Sequence, residues 1–227
     1  MSTEQSDPRP PRPGAGRFDA VVFDFGGVYT ASPFTAMERA AAELGMPAEQ
    51  VMGLIFGPYD ADTDHPWHQA ERGQIDLGAC RDAIADAAAA EGVELDLFEM
   101  LGHLASSGGV REAVVAHTHQ VRARGVRTAL LTNNVAEFAE FWRPLLPLDE
   151  LFDVVVDSSD VGMRKPDERI YRHTLELLGS IDPDRAIFLD DFPGNVAAAQ
   201  ALGMAAILVE DDPEPAFARL HELLAAG

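Results

Sequence analysis

Positive charge is scarce in this chain: 17 lysines and arginines stand against 38 aspartates and glutamates, a formal net charge of −21 over 227 residues. Binding a phosphate backbone or an anionic bilayer needs clustered basic side chains, so neither a nucleic acid nor a membrane is expected as a partner. An anionic ligand would instead need a local positive site, either a metal ion or a positioned lysine. Cysteine is scarcer still. The single Cys80 excludes an internal disulfide and any cysteine-rich metal centre, which fits a reducing, cytoplasmic setting. In its alanine-rich stretch it reads as a small packed hydrophobe. No apolar run approaches the roughly 18–20 residues that span a bilayer. Residues 1–17, rich in proline, glycine and charge, lack an apolar signal-peptide core and read as a disordered tail. No internal repeat is evident, and nothing separates a monomer from a homodimer.

What is present is an ordinary hydrophobic fraction of 47%, enough for one core, or one core plus a satellite domain. Short apolar runs at 18–24, 127–131, 152–156, 186–189 and 205–209 are too brief for helices. They show no clean alternation, so they read as strands buried on both faces of a parallel sheet. Between them lie helical patterns. Residues 110–124 place Val110, Val114, His117 and Val121 on one face and stop at Gly125. Residues 166–178 open with Pro166 in the first turn and stop at Gly179, and 193–202 and 215–225 follow the same grammar. The alternation predicts an α/β fold, a Rossmann-like doubly wound parallel sheet. Residues 34–107 break it with helices alone: 34–44, 47–56, 77–91 with Asp76 as N-cap, and 96–104. A helical cap domain inserted after the first strand is expected there, with the core formed by 18–33 and 108–227.

Open α/β sheets bind ligands at the carboxyl ends of their strands. The first predicted strand ends in Asp24, the second in Thr132-Asn133-Asn134 and the fourth in Asp190-Asp191; after the third, the chain runs to Lys165 at a helix start. Carboxylates at two strand ends repel unless a cation lies between them, and oxygen ligands of this kind suit Mg²⁺. Other polar groups read blandly. His117, His119 and His173 sit on predicted helices without ligand partners. The run Asp60, Asp62, Asp64, His65 lacks the glycine and terminal glutamate of a calcium loop and reads as solvated.

The order Asp24-Phe-Gly-Gly-Val, Leu-Leu-Thr132-Asn133-Asn134, Gly-Met-Arg-Lys165-Pro166-Asp167 and Phe-Leu-Asp190-Asp191-Phe-Pro-Gly-Asn195 resembles the four motifs of the haloacid dehalogenase superfamily over roughly residues 18–209. Segments 162–171 and 188–204 are similar to the branch containing the N-terminal phosphatase domain of soluble epoxide hydrolases. The resemblance implies a Mg²⁺-dependent hydrolase of a small phosphorylated metabolite. In it Asp24 is the nucleophile that forms an aspartyl-phosphate. Asp24, the Gly26 carbonyl and Asp191 would hold Mg²⁺, with Asp190 orienting metal waters or serving as a ligand itself. The Thr132 hydroxyl and the Asn133 amide would bind phosphoryl oxygens, Lys165 would offset negative charge, and Asn195 would brace the metal loop. Trp67, His68 and Glu71 fall in a cap segment that faces the active site in relatives.

One position departs from the pattern. Phosphatases of this superfamily usually read Asp-x-Asp at the first motif, the second aspartate shuttling protons, and here that position is Gly26. The expected enzyme is therefore slow or selective for good leaving groups, unless a cap group such as His68 or Glu71 supplies the proton. Two alternatives stay open: a degenerate member that binds a phosphorylated ligand or a protein without turnover, and a hydrolase acting on carbon. Metal-free dehalogenases of the superfamily also lack that aspartate, but they carry Tyr-Gly-Thr in this region and no paired aspartates at the fourth motif.

Overall fold

Both parities of each strand carry apolar side chains because both faces of the sheet are covered. In the computed structural model, which describes residues 16–43, 45–105 and 109–226, the strands are β1 (Ala20–Phe23), β2 (Arg127–Thr132), β3 (Val154–Asp157), β4 (Ala186–Asp190) and β5 (Ala205–Leu208). They form one parallel sheet in the order β3-β2-β1-β4-β5. Val21, Phe23, Leu130, Ile187 and Leu189 point to one face, where α6 (Glu112–Ala123) and α12 (Glu214–Ala225) add Val114, Val121, Phe217 and Leu220. Ala20, Val22, Ala129, Leu131 and Phe188 point to the other. There α10 (Glu168–Leu177) and α11 (Pro193–Ala201) add Ile170, Tyr171, Leu175 and Ala199. Side chains alternate in direction along a strand, so two apolar faces erase the polar–apolar pattern of a half-exposed sheet.

Between β1 and β2 the described chain is helical: α1 (Pro33–Glu43), α2 (Ala48–Phe56), α3 (Pro66–Glu71), α4 (Leu77–Ala90) and α5 (Leu97–Ala105). These helices bury a core of their own around Met37, Ile55, Trp67, Ile84 and Met100, with Cys80 packed inside it. Asp76 caps α4 by accepting from the Ala79 N–H at 2.7 Å. The helical layer closes over the strand ends where Phe34 and Tyr59 each pack on Phe192, with ring centroids 5.1 Å apart.

Three expectations need correction. The first strand is shorter than 18–24, and Asp24 follows it, tied by its N–H to the Leu189 carbonyl at 2.9 Å. Pro166 does not open a helix. Asp167 takes an extended backbone and accepts from the Arg169 N–H at 2.9 Å, so α10 begins at Glu168 and Lys165 lies on the preceding loop. The six-residue α3, and the short helices α7 (Ala139–Trp142), α8 (Leu148–Leu151) and α9 (Ser158–Val161), were not anticipated. The tail at 1–15 lies outside the described residues. Among those described, no helix is long and apolar enough to cross a membrane.

Candidate active site

From β1 the chain builds outward through β2 to β3, then returns to place β4 on the opposite side of β1. The crevice at such a reversal is where open α/β sheets bind ligands. Asp24 follows β1 and Asp190 ends β4, and the two strands are paired neighbours. Oxygens of Asp24, Asp190 and Asp191 lie within 4.8 Å of one another, the one grouping of this kind among the described residues. Lys165, the only lysine in the sequence, enters from the loop after α9. Its buried ammonium sits 2.7 Å from Asp24 Oδ1 and 2.6 Å from Asp190 Oδ2.

The two aspartates of β4 differ in their commitments. Asp190 accepts from Lys165, from the Phe192 N–H at 2.8 Å and, on both oxygens, from Asn195 Nδ2 at 3.1 and 3.2 Å. Asp191 Oδ2 is buried without a hydrogen-bond partner. Three carboxylates therefore lie together in a desolvated space with one ammonium, which pairs with two of them. Burial lifts Asp24 well above the usual carboxylate range against the pull of Lys165, and Asp190 and Asp191 add to the rise. Burial and the Asp190 charge push Asp191 up to about 7. Burial disfavours the charged lysine, yet Asp190 and Asp24 hold its pKa above the ordinary value. A hard divalent cation would satisfy the unpartnered oxygen and the excess negative charge together, so these residues fit Mg²⁺.

The adjoining glycines have different reasons to be glycine. Gly27 has φ +73°, and a Cβ there would overlap the Asp191 carboxylate, so only glycine lets the loop come this close. Gly26 lies outside the left-handed region; a Cβ there would make ordinary contacts of 3.4 and 3.5 Å with Pro33.

Thr132 and Asn133, at the end of β2, line a pocket of about 200 Å³ together with Gly26, Asn134 and Glu71. The Asn133 amide, expected on phosphoryl oxygens, is committed elsewhere. Nδ2 donates to the Lys165 carbonyl at 2.9 Å and Oδ1 accepts from the Lys165 N–H at 2.8 Å, which fixes the lysine backbone. Six aromatic side chains, Phe25, Phe34, Phe56, Tyr59, Trp67 and Phe138, form much of the remaining wall, with residues 30–33 completing it.

Of the three cap residues singled out, Trp67 and Glu71 line this pocket and His68 does not. His68 Nδ1 accepts from the Thr63 N–H at 3.1 Å, and burial, aided by Arg164, lowers its pKa to about 3. Glu71 accepts from Tyr59 Oη at 2.7 Å, Trp67 Nε1 at 2.9 Å and Arg164 Nε at 2.6 Å. These three donors take up both Glu71 oxygens. His68 thus lies outside the pocket, whereas Glu71 lines it with its oxygens already bonded. Sequence reasoning overlooked Tyr59 and Arg164; only the position of Arg164 beside Lys165 could have signalled a role. Away from the site, Asp62 pairs with Arg72, and the His117 ring bonds that of His221 at 2.9 Å.

The sequence model of the haloacid dehalogenase-like hydrolases matches residues 18–203. The chain is 32% identical to acyl-CoA dehydrogenase family member 10 of Mus musculus, across 93% of this chain and 20% of that protein. It is 24% identical to bifunctional epoxide hydrolase 2 of Rattus norvegicus, across 84% of this chain and 36% of that protein. It thus spans about a fifth and about a third of these relatives. With a sesquiterpene phosphatase of Aspergillus oryzae it shares 29% identity across 86% of this chain and 91% of the relative. Among solved structures, a dehalogenase with an intermediate complex superposes with a TM-score of 0.63 at 21% identity, covering 93% of this chain and 99% of that one. A HAD family enzyme of Bacteroides thetaiotaomicron, in complex with magnesium and inorganic phosphate, gives 0.57 at 19% identity, covering 86% and 96%. At these identities the structural likeness is one of fold.

Proposed function

The chain belongs to the haloacid dehalogenase-like hydrolase family, and from that premise we propose that it is a Mg²⁺-dependent phosphatase of a small phosphorylated metabolite, acting through an aspartyl-phosphate on Asp24. The observation that carries this reading is the excess buried charge: three carboxylates around one lysine, with Asp191 Oδ2 unpartnered. Mg²⁺ held by Asp24, the Gly26 carbonyl and Asp191 would offset the charge of the phosphoryl group and draw it toward the nucleophile. Asp190, its oxygens taken up by Lys165, Asn195 and the Phe192 N–H, acts chiefly by holding Lys165, and Asn195 braces it.

A carboxylate oxygen of Asp24 attacks phosphorus, and the P–O bond to the organic group breaks, its electron pair leaving on that oxygen. The Lys165 ammonium, 2.7 Å from Asp24, orients the nucleophile and offsets charge on the transferring group. The Thr132 hydroxyl donates to a phosphoryl oxygen. Asn133 contributes by locking the Lys165 backbone. Water then attacks phosphorus, releasing phosphate and restoring Asp24.

No side chain at Gly26 protonates the leaving oxygen, which favours aryl, acyl or anomeric phosphates over alkyl ones. The aromatic pocket suits an apolar organic group of modest size. The glycine also supports a second reading, a binding module that turns over little. A metal-free dehalogenase would leave the Asp191 charge buried and unpaired, so carbon chemistry is the least supported. A phosphomonoester screen with and without Mg²⁺, with Asp24→Asn as control, tests the proposal. Metal-dependent phosphate release lost in the variant upholds it; halide release from a haloacid without metal overturns it.

A further inference from the structure

Arg164 is the largest fully buried side chain among the described residues, and it is charged. It belongs to the core, on the loop just before Lys165, yet its guanidinium points into the helical layer. Nε donates to Glu71 at 2.6 Å, Nη1 donates to the Ala61 carbonyl at 3.0 Å, and the group lies 4.6 Å from the centre of the Tyr59 ring. Asp62 stands 3.9 Å away. Every one of these partners comes from the inserted helical layer and none from the sheet. Two of them, Tyr59 and Glu71, are walls of the pocket, and Glu71 also accepts from a third, Trp67.

A second contact shows how tightly this seam is drawn. Gly73, just after α3, has φ +63°, and a Cβ there would lie 2.6 Å from the Ser159 carbonyl of α9. Backbone thus meets backbone where the layer touches the core, within a few residues of the Arg164–Glu71 pair. If the layer lifted, Arg164 would lose all these partners at once and Glu71 would lose its cation, leaving two desolvated charges to be hydrated.

We propose that Arg164 is a positioning residue that clamps the Tyr59–Trp67–Glu71 wall over the nucleophile and so sets which organic groups the site accepts. It does not touch the phosphoryl group. Its effect falls on substrates whose organic portion reaches that wall, since small displacements of a positioning surface carry large rate penalties. The substrate part of this inference rests on the phosphatase reading; the clamping part does not.

The test compares wild type with Arg164→Gln and with the paired variant Arg164→Met/Glu71→Gln. The pair removes both buried charges, which protects folding, and keeps an acceptor for Tyr59 and Trp67. Two readouts are taken. The first is kcat/KM for 1-naphthyl phosphate, whose rings reach the wall, against acetyl phosphate, whose small acyl group does not. The ratio should fall about tenfold or more in both variants. The second is amide hydrogen exchange, which should quicken across residues 57–73 and stay unchanged in β1. Equal losses on both substrates, or exchange unaltered at the seam or raised equally in β1, would overturn the inference. If wild type hydrolyses neither phosphate, the phosphatase reading fails, and exchange alone decides whether Arg164 clamps the layer.

Discussion

Replacing Gly26 with aspartate should convert a leaving-group-selective enzyme into a more general one. The structure gives reason to expect the variant to fold. Gly26 avoids the left-handed region, and a Cβ would meet Pro33 at 3.4 and 3.5 Å, ordinary contact distances. A side chain at such a position costs no backbone strain and narrows the unfolded ensemble, worth about 0.4–1 kcal/mol. Against this, a fourth carboxylate near the other three adds like-charge repulsion, roughly 2 kcal/mol for each neighbour at a separation of about 7–8 Å and an effective dielectric near 20. The metal-free variant should therefore melt below wild type, and Mg²⁺ should recover much of the difference. On the rate, general acid–base help typically contributes about 10²–10⁴, or roughly 3–5 kcal/mol of barrier. Steady-state kcat/KM, which reports the steps up to transfer of the phosphoryl group to Asp24, is measured for an aryl and an alkyl phosphate in both proteins. Wild type should favour the aryl ester strongly, and Gly26→Asp should gain about 10² or more on the alkyl ester and far less on the aryl one. A wild type that hydrolyses both equally would refute the reasoning, because another group would then be the acid. So would a folded, Mg²⁺-binding variant with an unchanged aryl-to-alkyl ratio.

Asp191→Ala removes the carboxylate whose Oδ2 lacks a partner; calorimetry should show Mg²⁺ affinity lost or strongly weakened, and unchanged affinity would mean the ion sits elsewhere. Lys165→Met leaves Asp24 and Asp190 facing each other in a buried space. Denaturant unfolding of the metal-free protein should show a loss of about 3–5 kcal/mol, partly restored by Mg²⁺. Because burial raises the Asp191 pKa from 3.8 to about 7, the native metal-free protein binds more protons than the unfolded chain between those values. Its stability contribution is full below pH 4 and declines as pH rises through 7. Melting with and without Mg²⁺ should thus show stabilisation by the metal growing from pH 5 to pH 8, and a flat difference would contradict the shift.

The strand ends were legible because each apolar run stops at the residue that turns out to face the crevice: Asp24, Thr132, Asp190. Strand order was not, yet it makes Asp24 and Asp190 neighbours, since the return of β4 to the far side of β1 is a long-range event. The role of Asn133 was hidden for a similar reason, its partners belonging to a loop about thirty residues on. Periodicity missed α3, a six-residue helix whose N-cap is His65 rather than a common capping residue. Arg164 sat in a quoted motif without a role, because an arginine is ordinarily solvated and only the folded cap shows what encloses it. The two glycines after Asp24 looked alike in sequence; only φ and the proximity of Asp191 separate the obligatory Gly27 from the permissive Gly26.

The central claim is that Asp24 carries the phosphoryl group. Without a carboxyl at Gly26 to activate water, the aspartyl-phosphate should persist long enough to trap. Wild type is mixed with Mg²⁺ and an aryl phosphate, quenched in acid during turnover and digested, and the peptide containing Asp24 is weighed by mass spectrometry. The account predicts a gain of one phosphoryl group on Asp24, absent without Mg²⁺ and absent in Asp24→Asn. Phosphate released while that peptide stays unmodified at every time point would contradict it.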